Sequence, residues 1–98
     1  MSPNYRIFET LEYLRSLKKL SPESRSFIER KTVSYVYPRI REEPHFGLNI
    51  KKLSGMLLKG YVPETWRYRI GKYRLFFCIE EKEKIVSILT VEFRKDAY

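Results

Sequence analysis

One cysteine, Cys78, and one histidine, His45, are all the chain holds of the two side chains most used to grip metals. An internal disulfide framework is therefore excluded, a conventional structural zinc site cannot be assembled, and no metal or other cofactor is expected. No apolar run approaches the roughly 18 residues of a membrane span, and the start Met1-Ser2-Pro3-Asn4-Tyr5-Arg6 lacks the basic-then-apolar layout of a secretion signal. The expectation is a cytoplasmic protein with no membrane contact. Repeats, low-complexity tracts and linkers are also missing, so residues 1–98 are read as a single domain with one core. That core is affordable: 43% of residues are hydrophobic and 15% aromatic, too many for a disordered chain despite 33% charged residues.

Acidic residues are the other scarcity. Twelve Asp and Glu face twenty Lys and Arg, a net charge of +8 that favours polyanionic partners. The excess is local. Between Lys51 and Arg74 stand seven basic residues (Lys51, Lys52, Lys59, Arg67, Arg69, Lys72, Arg74) and one acid, Glu64, whereas the first fifty residues carry nine basic and six acidic. A focused patch reads as an anion site rather than a solvating charge.

The alternation around Tyr5 and Ile7 predicts a short strand over Asn4 to Phe8. Leu11, Leu14 and Leu17 predict a helix from about Glu9 to Lys19. Ser21-Pro22-Glu23 supplies an N-cap, a proline at the first helical position and an early acid. The second helix that starts there places Ile28, Thr32, Tyr35 and Val36 on its inner face. It is expected to end before Pro38, because the residue ahead of a proline is pushed out of helical geometry. Arg39 to Thr65 has no sustained period and reads as a long loop, with one short ordered stretch near Ile50 to Leu53. Trp66 to Ile70, Tyr73 to Glu80 and Lys84 to Phe93 then read as three antiparallel strands. The expected fold is α+β: an N-terminal strand, a two-helix antiparallel hairpin and a three-stranded antiparallel meander, with the helices on one face of the sheet.

A two-residue turn at Gly71-Lys72, of type II′ with glycine first, pairs Ile70 with Tyr73, Arg69 with Arg74, Tyr68 with Leu75 and Arg67 with Phe76. One face then carries Trp66, Tyr68, Ile70, Tyr73, Leu75 and Phe77 as core, and the other carries Arg67, Arg69 and Arg74. Two arginines directly opposite one another repel by a few tenths of a kcal/mol to about 1 kcal/mol unless an anion relieves them. The alternatives are a structural network with Glu64, Glu92 or Asp96, or side chains that splay into water. Guanidinium groups that cannot lose their proton suit a phosphate whose charge grows in a transition state. Arg94, near the end of the last strand, shares parity with Ile88, Thr90 and Glu92 and can emerge near the sheet edge. Cys78 reads as a packed thiol, His45 as a loop residue beside Pro44, and Trp66 and Tyr73 as core. Met56-Leu57-Leu58 reads equally as a lid on the core or as a partner groove.

Lys52-Leu53-Ser54-Gly55, the stretch Trp66-Arg67-Tyr68-Arg69-Ile70-Gly71-Lys72-Tyr73-Arg74-Leu75, the strand ending Leu89-Thr90-Val91 and the tail Arg94-Lys95-Asp96-Ala97-Tyr98 together resemble the RelE family of toxins, within the RelE/ParE superfamily. The resemblance implies an mRNA interferase of a type II toxin-antitoxin module. Such a toxin cleaves message in the ribosomal A site, is held inactive by a RelB-like antitoxin, and is a monomer when alone. It further implies that Arg67 and Arg69 form a basic pair, that Arg74 clamps the phosphate, that Arg94 contacts the phosphate or leaving group, and that Tyr98 addresses the 2′-hydroxyl as base or as positioning group. Lys51, Lys52, Lys72 and Lys95 are the implied RNA-binding neighbours. Where related toxins often have a histidine before the tail arginine, this chain has Phe93, and both members of its basic pair are arginine. The runner-up reading is a ParE-like toxin that poisons DNA gyrase without cutting RNA, and a third is a catalytically silent module that represses its own operon.

Overall fold

The alternation of Trp66, Tyr68 and Ile70 with Arg67 and Arg69 becomes one strand of a hairpin that anchors the sheet. A computed structural model describes residues 4–53 and 65–94. Its elements are β1 (Arg6–Glu9), α1 (Leu11–Lys18), α2 (Pro22–Lys31), a π-helical turn (Thr32–Val36), α3 (Tyr37–Glu42), β2 (Ile50–Lys52), β3 (Thr65–Ile70), β4 (Tyr73–Glu80) and β5 (Ile85–Phe93). β3 and β4 pair in the expected register, Ile70 with Tyr73 and Arg69 with Arg74 among them. Gly71 has a φ of 58°, while Lys72 does not share a positive φ, as a type II′ turn requires.

The five strands form one sheet in the order β1-β5-β4-β3-β2. The meander is thus extended on both sides: β1 joins β5 in parallel, and the short stretch foreseen near Ile50 is the edge strand β2, antiparallel to β3. β5 carries a bulge: Phe76 pairs with Thr90 but Phe77 with Ile88, so Leu89 is the extra residue and the faces switch there. Beyond β1, hydroxyls satisfy the free edge of β5. The Thr10 hydroxyl donates to Ile88 O at 2.6 Å, and Val91 N–H donates to Ser16 Oγ at 3.1 Å. Thr10 also caps α1, its oxygen accepting from Tyr13 N–H at 3.2 Å.

That tie fixes how α1 is rolled, and it corrects the leucine stripe. Tyr13 and Leu17 are buried, while Leu11 and Leu14 stay 61% and 40% exposed. Ser21 caps α2 with Pro22 in its first turn, as foreseen. The helix does not stop before Pro38. Proline lacks an N–H and its ring collides with the carbonyl four residues back, and a π turn lies directly ahead of it, where Tyr37 N–H bonds to Thr32 O. The helix then resumes as α3 with Pro38 in its first turn, where a missing donor costs nothing. The inner face is accordingly Ile28, Thr32, Val36, Tyr37 and Ile40, all buried, whereas Tyr35 turns outward at 44% exposure between the cations of Lys31 and Arg39. Ile28, Val36, Tyr37 and Ile40 meet Tyr68, Ile70, Leu75, Phe77, Val86, Ile88 and Val91 from one sheet face in a single core. Among the described residues no helix is long and apolar enough to cross a membrane.

Buried hydroxyls within this core are partnered. Tyr37 donates to Glu9 Oε2 at 2.7 Å. Burial, followed by that bond, raises the Tyr37 pKa, and burial likewise raises Tyr13. A second cluster closes one end of the sheet. The Tyr5 hydroxyl donates to Glu81 at 3.0 Å, Lys84 Nζ lies 3.3 Å from the same carboxylate, and His45 lies 2.7 Å from Glu81 and 3.1 Å from Glu43. His45 therefore does more than sit in a loop: its ring also meets Tyr5 and Trp66 edge-on. Burial pushes the Glu81 pKa up, but the hydrogen bonds from Tyr5 and Lys84 and the charges of His45 and Lys84 outweigh it and hold the carboxyl below its usual range. A depressed carboxyl stabilises the fold above its unfolded pKa of about 4.3, and that contribution disappears as pH falls through the native value. Glu81→Gln is expected to cost only a few tenths of a kcal/mol at neutral pH, because the group is exposed. It should also flatten the decline in thermal stability below about pH 4, and an unchanged acid limb in a melting series would refute the assignment.

Candidate nucleic-acid interface

Because side chains alternate along a strand, packing one face of β3 and β4 against the helices forces the intervening residues onto the other face. Two rows result. Lys51, Arg67, Phe76 and Thr90 lie side by side across β2, β3, β4 and β5, and Arg69, Arg74 and Glu92 form the next row toward the turn. Arg67, Arg74 and Arg94 are half-buried and Arg69 is exposed. The bulge at Leu89 corrects one detail of parity: Thr90 and Glu92 lie in these rows, but Ile88 has switched to the core.

Arg67 sits at the electrostatic centre. Burial lowers its pKa, and the charges of Arg69, two residues along β3, and of Arg94, just past the end of β5, lower it further. Its Nη1 donates to Asn49 O at 3.3 Å, and the same carbonyl accepts the Arg69 N–H at 2.9 Å. Asn49 thus orients the site through a backbone atom, which leaves no mark in the sequence. Among the described residues no carboxylate forms a salt bridge with Arg67 or Arg69. Arg94 is brought in by its own backbone, whose N–H donates to Lys72 O at 2.6 Å and ties the end of β5 to the hairpin turn. Arg74 is held differently: its Nη1 donates to Gly71 O at 3.0 Å and Tyr73 O at 3.1 Å, which draws the guanidinium toward the turn, and Glu92 stands opposite it across the strands.

The lysines divide. Lys51 pairs with Arg67 and extends the cationic row, whereas Lys52 pairs with Trp66 on the other face and holds its ammonium 5.9 Å from the indole centroid. Lys72 is exposed at the turn. Lys95, Tyr98 and the Met56-Leu57-Leu58 segment lie outside the described residues. Cys78 shares the arginine face and is half-buried, and burial, followed by the charge of Glu80, raises its pKa, which suits a packed thiol and not a nucleophile. Tyr73 is half-buried and donates to Ser24 Oγ at 2.6 Å, joining the hairpin to α2.

No family model matches the sequence, and neither does any curated protein. Solved structures do match it over nearly its whole length. A chain of the toxin-antitoxin complex RelBE2 from Mycobacterium tuberculosis is 27% identical, with a TM-score of 0.72 and 98% of each chain covered. A chain of the archaeal RelE-RelB complex from Pyrococcus horikoshii OT3 is 24% identical at a TM-score of 0.59, covering 96% of this chain and 99% of that one. The isolated E. coli RelE toxin is 20% identical at 0.61, covering 95% and 87%. The last two share the fold.

A surface that gathers like charges stores repulsion that salt and anions relieve. Arg69→Gln is expected to raise stability at low ionic strength by a few tenths of a kcal/mol to about 1 kcal/mol, with the gain vanishing in about 1 M salt. Thermal melts of the two proteins across a salt series check this, and a variant less stable at every ionic strength would contradict it.

Proposed function

With its fold shared by RelE toxins and 27% identity to one of them over nearly the whole chain, we propose that the chain is a RelE-family toxin of a type II toxin-antitoxin pair and acts as a ribosome-dependent endoribonuclease on messenger RNA. The observation that carries this reading is the sharing of one sheet face by Arg67, Arg69 and Arg74 beside Lys51, with Arg67 half-buried and within the field of Arg69 and Arg94. One phosphodiester is assigned to this face. In the proposed reaction the 2′-oxygen attacks the adjacent phosphorus and loses its proton, the bond from phosphorus to the 5′-oxygen breaks, and that oxygen takes up a proton. The products are a 2′,3′-cyclic phosphate and a 5′-hydroxyl.

The side chains limit how this reaction is accelerated. Arginine, with a pKa above about 12, is a poor acid, and tyrosine, near 10, is a poor base at neutral pH. Electrostatic stabilisation of the charge that builds on the phosphoryl oxygens therefore carries most of the rate, with Arg67, Arg69 and Arg94 as its source and Arg74 bracing the turn from which it also reaches the phosphate. Tyr98 is assigned to the 2′-hydroxyl, and lowering of its pKa by the cationic face is part of the proposal. The ribosome supplies the in-line geometry, which places the attacking and leaving oxygens on opposite sides of phosphorus. Lys51 and Lys72 neutralise neighbouring phosphates, with Lys95 assigned the same role, whereas Lys52 serves from the sheet edge. The partner that silences the chain is a RelB-like antitoxin, as in the complexes its relatives form.

Induction followed by primer extension on cellular message tests the reading. Wild type is expected to leave breaks inside codons, Arg67→Ala and Arg94→Ala to lower the cleavage rate by about 10²- to 10³-fold each, and Tyr98→Phe to lower it as well. Free RNA should be cut far more slowly than message on ribosomes. Growth arrest with intact message and a damaged chromosome would overturn the nuclease reading in favour of gyrase poisoning.

A further inference from the structure

The arginine face carries one residue that neither its charge nor the core explains. Phe76 projects from the central strand β4 between Arg67 on β3 and Thr90 on β5. Its chain neighbours Leu75 and Phe77 point the other way and are fully buried in the core. Phe76 is half-buried and shares its face with Arg67, Arg74, Thr90 and Cys78. Among the described residues no other ring and no cation is stacked on it, although Tyr5, Tyr73, Phe27, Phe93 and Trp66 all have a ring partner. An aromatic surface left wet at the centre of a cationic face has desolvation to gain from a flat partner.

Resting on the nuclease reading above, we infer that Phe76 is the platform on which one base of the RNA substrate stacks beside the phosphate held by Arg67. Adjacent strands lie about 4.8 Å apart, and residues two apart on one strand about 6.8 Å. The backbone of Arg67 therefore lies about one strand spacing from that of Phe76, and a nucleotide whose phosphate Arg67 holds from the β2 side, where its Nη1 meets Asn49 O, would lay its base back across the sheet toward the ring. Every base presents a π face, so the contact fixes where the nucleotide sits without selecting which base it carries. Thr90, on the far side of the ring, places a hydroxyl that can both donate and accept where the base edge would lie. Phe76 is thus a binding residue that sets register, while the arginines act on the charge.

The test is cleavage on ribosomes programmed with messages in which each A-site nucleotide in turn is replaced by an abasic one. Wild type is expected to lose about tenfold in the half-saturating toxin concentration at one position, within the range that stacking of one base on an aromatic ring contributes, with the saturated rate little changed. Phe76→Leu should show that weakening on the intact message and no further loss at that abasic position, whereas Phe76→Trp should retain the wild-type response. Melting curves establish that both variants fold. The inference is overturned if wild type is indifferent to every abasic substitution, or if Phe76→Leu loses saturated rate and affinity alike on all messages. If wild type cuts no message on ribosomes, the nuclease reading falls and takes this inference with it; cleavage with no abasic sensitivity removes the inference alone.

Discussion

The two-residue turn at Gly71-Lys72 sets the register on which everything else depends. A side-chain period of two means that a slip of one residue would carry Trp66, Tyr68 and Ile70 to the solvent and bury Arg67 and Arg69. Gly71, at a φ of 58°, adopts the left-handed conformation the turn needs without the penalty a side chain would bring. Once Tyr68 packs against the helices, Arg69 has no choice but to face Arg74. The apolar contacts that build the core therefore impose the repulsion on the opposite face. Burial of a side chain such as Leu75 or Phe77 is worth roughly 1.5–3 kcal/mol, more than the repulsion of one exposed like-charged pair, so the fold tolerates a charge arrangement that is unfavourable until an anion arrives.

That imbalance links stability to function. Arg67 is held among Arg69 and Arg94 and partly withdrawn from water, which raises the energy of the free site and strengthens its attraction for a phosphate. The fold stiffens the arrangement. The Asn49 carbonyl holds Arg67 and Arg69, the Lys72 carbonyl draws in Arg94, and turn carbonyls hold Arg74. Preorganised donors of this kind need not reorganise as charge builds. Proton transfer contributes less than charge stabilisation, since an unperturbed guanidinium or phenol does not titrate near neutrality.

Local signals carried much of this from the sequence. The hairpin register followed from Gly71 and the alternation around it, and the start of α2 from Ser21-Pro22-Glu23. What stayed hidden depends on partners distant in the chain. The roll of α1 is set by Thr10 meeting Ile88 across 78 residues, so the leucine spacing pointed to the wrong face. Pro38 marked a helix end by its own chemistry, but a π turn absorbed the missing donor. The bulge at Leu89 left no turn residue to announce it, and the parity inferred for Ile88 failed for that reason. At the site, the shared face of Arg67, Arg69 and Arg74 was legible, whereas the separate tethering of Arg74 and the placement of Lys52 over Trp66 were not, because both are set by which neighbour a long flexible side chain finds.

In this reading Arg67, Arg69 and Arg94 act as one anion site. Side-chain NMR of the guanidinium groups during titration with a short RNA blocked at its 2′-hydroxyls addresses it directly. The three signals are expected to shift together along a single binding curve while that of Arg6, on the edge strand β1, stays still. Three independent curves, or shifts at one arginine alone, would contradict it.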